Sequence, residues 1–183
     1  MSQIRDIHTT RREDRVKQTA EVFTPPRIVH QMLSKLPKEV WKKGKTFCDP
    51  ACGNGNFLIA VLWRKIERNH NALEALQCVF GVDIMRDNIL ECRLRLLKIV
   101  SLYEEITEDH IKAVFTNIVW INKNKYENGS LDYDFSFNNK LNQRDIDRWM
   151  TWISDGKLTE VNLPVEEEVF GTPSQDLFED DFK

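Results

Sequence analysis

Phe47-Cys48-Asp49-Pro50-Ala51-Cys52-Gly53-Asn54-Gly55-Asn56-Phe57-Leu58 decides how this chain folds. A short apolar run stops at an acid, turns through a loop with two glycines and re-enters an apolar helical pattern. That is the strand–loop–helix unit that wraps a nucleoside-containing ligand in a doubly wound α/β fold. Gly53 and Gly55 lack Cβ, so their backbone tolerates positive φ and can lie against a ligand. A bare G-x-G says little, whereas an acid, a proline and Cys-Gly-Asn-Gly in this order say much more.

Upstream of the loop, Thr24 is expected to cap a helix with Pro25 at its first position. Ile28, Val29, Met32, Leu33 and Leu36 share one helical face. A first strand is expected from Lys45 to Cys48, and a helix from Asn56 to Asn69 with Leu58, Ile59, Leu62, Trp63 and Ile66 inward. A second strand follows from Cys78 to Val82, then a helix from Arg86 to Val100 whose core stripe is Ile89, Leu90, Leu94, Leu97 and Val100. A short helix from Thr107 to Val114 leads to a third strand from Asn117 to Ile121. Turn-rich sequence runs to Asn142, and Ile146, Trp149, Met150 and Ile153 mark a last helix. No internal repeat is present. Beyond Asp155-Gly156 the chain turns acidic and loses periodicity, so a disordered tail is expected over 156–183.

The 183 residues suffice for one domain with a real core, and 41% hydrophobic with 30% charged residues is a globular composition. No apolar stretch approaches the roughly 20 residues that span a bilayer, and the first residues are too polar for a secretory signal. Cys48, Cys52, Cys78 and Cys92 have neither disulfide-framework nor zinc spacing. Cys48 and Cys78 fall in expected strands, where they read as buried thiols, and a reducing cytoplasm is the expected location. The net charge of −3 hides an asymmetry: Pro164 to Lys183 holds seven acids and one lysine, leaving 25 basic and 22 acidic residues before it. That mildly basic body suits phosphate contact only weakly. Residues 1–17 carry Arg5, Arg11, Arg12, Arg15 and Lys17 against Asp6, Glu13 and Asp14, and read as a basic arm able to touch nucleic acid.

Three segments carry a family resemblance. The glycine loop resembles the S-adenosylmethionine loop of the N6-adenine DNA methyltransferases, which often reads Asp-Pro-Ala-Cys-Gly-x-Gly-x-Phe-Leu. Glu21-Val22-Phe23-Thr24-Pro25-Pro26 resembles the segment that precedes the family's first strand, and Val79-Phe80-Gly81-Val82-Asp83-Ile84 resembles its second strand. The resemblance implies a Rossmann-like methyltransferase fold over 18–155 and S-adenosylmethionine as cofactor. Phe23 would lie against that cofactor and Thr24 would bond its carboxylate end. In the loop Asp49-Pro50-Ala51, followed by Gly53 and Gly55, Asp49 would meet the ligand's amino group. Asp83 would accept both ribose hydroxyls, with Ile84 against adenine. NAD is the rival ligand for a glycine loop after a strand. Its fingerprint wants a third glycine or alanine where this chain has Leu58, so S-adenosylmethionine is preferred.

The family's Asn-Pro-Pro-Tyr-type quartet, which holds a flipped-out adenine by its amine, does not occur. Asn117-Ile118-Val119-Trp120 keeps an Asn and an aromatic at the same offset, making Asn117 and Trp120 surrogate catalytic residues; the alternative is a buried third strand. Under that alternative, Leu131 to Phe135 would be the loop passing the adenine. Each further strand–helix–strand unit needs about 30 residues, so the chain resembles the cofactor-binding half of such an enzyme, with an incomplete sheet. Its open edge would be covered by Asn122 to Ser154 or by a second subunit. Gln175, Leu177 and Phe178 in the acidic tail resemble the short peptides that dock on sliding clamps. Two functions stay open. One is a DNA adenine-N6 methyltransferase, or a subunit of one, in a restriction-modification or phage-like setting, with DNA as partner. The other is a non-catalytic relative acting as a regulatory or anti-restriction module.

Overall fold

The computed structural model describes residues 22–68, 70–121 and 141–164. The segments 1–17, 131–135 and 175–178, on which the expectations of a basic arm, an adenine-side loop and a clamp peptide rest, lie outside the described residues. The elements are α1 (Pro26–Leu33), a 3₁₀ turn (Lys38–Trp41), β1 (Phe47–Asp49), α2 (Asn56–Glu67), α3 (Ala72–Gln77), β2 (Val79–Asp83) and α4 (Arg86–Val100). They continue with α5 (Glu108–Asn117), β3 (Ile118–Trp120), α6 (Gln143–Ser154) and a second 3₁₀ turn (Lys157–Glu160). This is the α/β architecture expected, with a small parallel sheet in the order β1-β2-β3. Phe47 pairs with Val79, Asp49 with Gly81, Gly81 with Ile118 and Asp83 with Trp120. Parallel register brings the ends of β1 and β2 to one side, where such a sheet binds ligands. Among the described residues no strand borders the outer edge of β1.

Side chains alternate across a strand, so Val79, Gly81 and Asp83 of β2 share the face on which α2 packs. Gly81 makes that packing possible. A Cβ there would lie 2.5 Å from Leu58 Cδ1 and 3.1 Å from Cys52 Sγ. Leu58 thus occupies the close helix–sheet approach that a dinucleotide fold reaches with a helix glycine. Leu58, Ile59 and Leu62 of α2, Leu96 and Ile99 of α4, Ile111 of α5, and Val79 and Ile118 of the sheet form the centre of one buried cluster. No helix among the described residues is long and apolar enough to cross a membrane.

Several boundaries differ from expectation, each for a local reason. The first helix starts at Pro26, and Pro25 stands before it with extended dihedrals, φ −60° and ψ 144°. A residue before proline is driven out of the α region, so Pro25 cannot begin the helix and Thr24 caps nothing. The unexpected α3 begins at Asn71, whose side chain accepts from the Glu74 N–H at 3.1 Å. Cys78 closes that helix, which delays β2 to Val79. Cys48 is exposed and Cys78 half-buried; the buried thiols are Cys52 and Cys92. Cys48 misleads because it alternates onto the face of an edge strand opposite α2.

Thr107 and His110 make a reciprocal capping box that starts α5, and α5 runs on through Asn117. The ordered body also continues past residue 155. Gly156 (φ +78°) turns the chain, Leu158 is 5% exposed in the core, and Val161 and Leu163 pack against it. A left-handed residue here favours glycine, and the apolar residues behind it are too few to show a period.

Asn117 has a structural task at the end of α5, just before β3. Its amide donates to the carbonyls of Leu76, at 3.4 Å, and Gln77, at 3.1 Å, where α3 ends. Asn117→Ala is expected to lower unfolding free energy by about 1–3 kcal/mol in urea denaturation, because buried carbonyls lose their donor. An unchanged midpoint and slope would contradict that role.

Candidate functional site

The ends of β1 and β2, the glycine loop and the segment before α1 enclose a cavity of about 390 Å³. This lies within the roughly 300–1,000 Å³ of small-molecule sites. Of the residues expected at a cofactor site, Phe23, Thr24, Asp49, Ala51, Gly53, Asp83 and Ile84 line it. Pro50 is exposed at the turn, and Gly55 stands behind the loop. At Gly55 (φ +88°) a Cβ would lie 2.5 Å from Cys92 Sγ, so only glycine lets the loop rest on α4. Gly53 (φ +53°) gives the same freedom on the cavity side, where a Cβ would lie 2.9 Å from the Phe23 ring. Phe23 is therefore laid directly over the loop.

Main-chain bonds hold the loop in shape. The Cys52 N–H donates to the Val82 carbonyl at 2.9 Å, and the Gly55 N–H to the Cys52 carbonyl at 2.8 Å. Asp83 completes the attachment. Its Oδ2 accepts from the Gly53 N–H at 2.9 Å, while Oδ1 accepts from the Met85 N–H at 2.6 Å and from Asn88 Nδ2 at 3.4 Å. A carboxylate has about four lone-pair sites, and three are taken. Asp83 is first a clamp on the loop, with room for one more donor rather than for two ribose hydroxyls.

Asp49 lies across the cavity floor, its Oδ1 accepting from the Ala51 N–H at 3.1 Å. Its carboxyl is held above the ordinary range by burial and by the neighbouring charge of Asp83, with the Ala51 bond opposing. Among the described residues no lysine, arginine or histidine lines the cavity. Asn54 lines the cavity as a residue, while its Oδ1 is buried with no hydrogen-bond partner among the described residues. Two carboxylates thus face a space with no cation among the described residues. These residues fit a positively charged ligand that carries hydrogen-bond donors.

Asn117 and Trp120 are not brought together. Asn117 ends α5 just before β3 and Trp120 ends β3, and neither lines the cavity. Trp120 stands on the cavity side of the sheet, its indole N–H donating to the Ile84 carbonyl at 3.0 Å. Asn117, buried and committed to α3, cannot reach a base there. Cys52, Asn54, Asn56, Phe57 and Met85 also line the cavity and were not foreseen, although the first four lie within the quoted loop. Met85 is the next residue after the resemblance-bearing Val79–Ile84 segment.

The raised pKa of Asp49 has a definite sign for stability. The folded state holds the proton more tightly than the unfolded chain, so stability falls as pH rises from about 3.9, the unfolded value, through the raised folded one. Asp49→Asn should therefore melt higher than the parent at pH 7, with the gain shrinking toward pH 4. Thermal melts of the ligand-free protein at both pH values test this, and a lower melting point at pH 7 would refute it.

The family model of the N-6 DNA methylases matches residues 10–155. A curated relative, the Type II methyltransferase M.VspI of Vibrio sp. (strain 343), is 30% identical over 128 residues, which cover 63% of this chain and 29% of that protein. The chain thus spans under a third of that relative's length. No solved structure matches. With the glycine loop, its acidic neighbours and the parallel sheet in register with that match, the chain belongs to the N-6 DNA methylase family.

Proposed function

We propose that the cavity binds S-adenosylmethionine. The chain would then be the cofactor-binding part of a DNA adenine-N6 methyltransferase whose base-holding residues come from polypeptide other than the described residues. The observation that carries this reading is the convergence of Asp49 and Asp83 on one cleft that no basic side chain among the described residues lines. A sulfonium and an ammonium group relieve that repulsion, whereas the pyrophosphate of NAD would add to it. Asp49 is the partner for the ammonium, Asp83 for a ribose hydroxyl, and Ile84 the apolar wall for adenine. When bound, the cofactor supplies an activated methyl group; the residues described here hold and orient it.

The family and the likeness to a Type II methyltransferase support DNA as the methyl acceptor. Four free cysteines support a reducing compartment, the cytoplasm. The commitment of Asn117 to α3 favours base-holding residues on a second subunit or a further segment. It equally favours a second reading, a binding module that keeps the cofactor without transferring its methyl group.

Titration calorimetry with S-adenosylmethionine tests the first step. Binding is expected for the parent, with at least about tenfold loss for Asp83→Ala or Asp49→Ala, the scale of a lost charged contact. Affinity should fall as pH drops through the raised Asp49 pKa, since the protonated carboxyl no longer attracts a cation. Absence of binding, or equal affinity for NAD, would overturn the proposal. Transfer of labelled methyl groups to duplex DNA by the chain alone would overturn a second subunit as the source of the base-holding residues. Binding without transfer, whatever methylase chain is added, would establish the second reading.

A further inference from the structure

Arg95 on α4 is buried behind the glycine loop, outside the cavity. Its Nη1 donates to the Asn54 carbonyl at 2.9 Å and to Asn56 Oδ1 at 2.8 Å. Its Nε donates to the Asn162 carbonyl at 3.2 Å, 67 residues along the chain. Asn56 passes the connection on, because its Nδ2 donates to the Thr24 carbonyl at 2.9 Å. One turn earlier on α4, Glu91 accepts from Asn54 Nδ2 at 3.2 Å. A single guanidinium therefore ties the loop, the strip that carries Phe23, and the chain after the last 3₁₀ turn to one helix.

The Arg95 fork does more than fill space. A planar guanidinium can satisfy acceptors in different directions at once, which an ammonium cannot do with the same geometry. Burial makes any lost partner costly, so the loop and the 161–164 segment cannot shift independently while Arg95 is in place. The strip around Asn162 is otherwise held by modest apolar contacts, chiefly Val161 and Leu163 against the core. It is the weaker of the two attachments and the one an outside event could release.

We infer that Arg95 is a positioning residue that couples docking of residues 161–164 to the shape of the ligand cavity. Anything that engages or displaces the chain there is then felt at Asn54, Asn56 and Thr24. This inference rests on the cofactor reading for its ligand but not for its geometry. By linkage, a ligand in the cavity also strengthens docking of 161–164.

The test uses the full chain in four forms: parent, Arg95→Lys, Leu163→Asp and the double variant. Two quantities are read, the S-adenosylmethionine dissociation constant and hydrogen exchange of amides 51–58 in ligand-free protein. Each single variant should weaken binding about tenfold, the scale of a lost charged hydrogen bond, and speed exchange in the loop. The double variant should be no worse than either single, since both break one connection. Exchange in the interior of α2 should stay at the parent rate, which a general loss of stability would not allow. Additive effects, or a Leu163→Asp variant with parent affinity and loop exchange, would overturn the coupling. Should Leu163→Asp fail to fold, Val161→Ser loosens the same strip more gently and is judged by the same criteria. Failure of the parent to bind S-adenosylmethionine sinks the cofactor reading alone, and the exchange measurement still decides this one.

Discussion

The bond from the Gly53 N–H to the Asp83 carboxylate is the contact on which the site depends. It fastens the loop after β1 to the end of β2, so a cavity exists between two strand ends. Without it, a six-residue turn containing two left-handed glycines has little to fix its path. Gly81 supports it from below, since only a bare backbone lets Cys52 and Leu58 come close enough to the strand. Phe23 supports it from above. Fold and cavity are thus joined at one carboxylate, which serves the protein before it serves any ligand.

The same group brings an electrostatic cost. Asp83 and Asp49 face a shared space, and burial keeps the Asp49 carboxyl above its ordinary range. A fold selected for stability alone would place a cation or an amide there. Destabilised groups in a cleft are a common mark of function, and the missing charge has the sign of a sulfonium ligand. The buried thiols beside the loop add nothing reactive: burial and mutual hydrogen bonding push Cys52 well above the ordinary thiol range. Cys52 and Cys92 act as small apolar packing units around glycine.

What the sequence revealed was local. Asp49, Gly53, Gly55 and Asp83 could be assigned because strand, turn and helix signals lie within a few residues of each. α3 was missed although Asn71 and Glu74 carry a legible cap signature, because six residues show no helical period. Asn117 and Trp120 matched a motif by spacing, but spacing does not tell which end of a strand faces the ligand. Cys48 looked buried because alternation does not say whether both faces of an edge strand are covered. Arg95 and Asn162 were beyond reach altogether, since no local pattern links residues 67 positions apart.

The outer margin of β1, which no strand among the described residues borders, sets a condition on whatever lies next to it. Only Phe47, Cys48 and Asp49 present main-chain donors and acceptors there, enough for a ladder of about two or three bonds. So short a ladder cannot fix its own alignment, because sliding by two residues costs few bonds and preserves the facing of side chains. A neighbouring strand must take its register from side-chain fit against the sheet. The acid at the tip of β1 would then stand beside that neighbour's end, so a misaligned arrival would disturb the charge balance of the cleft as well as the sheet.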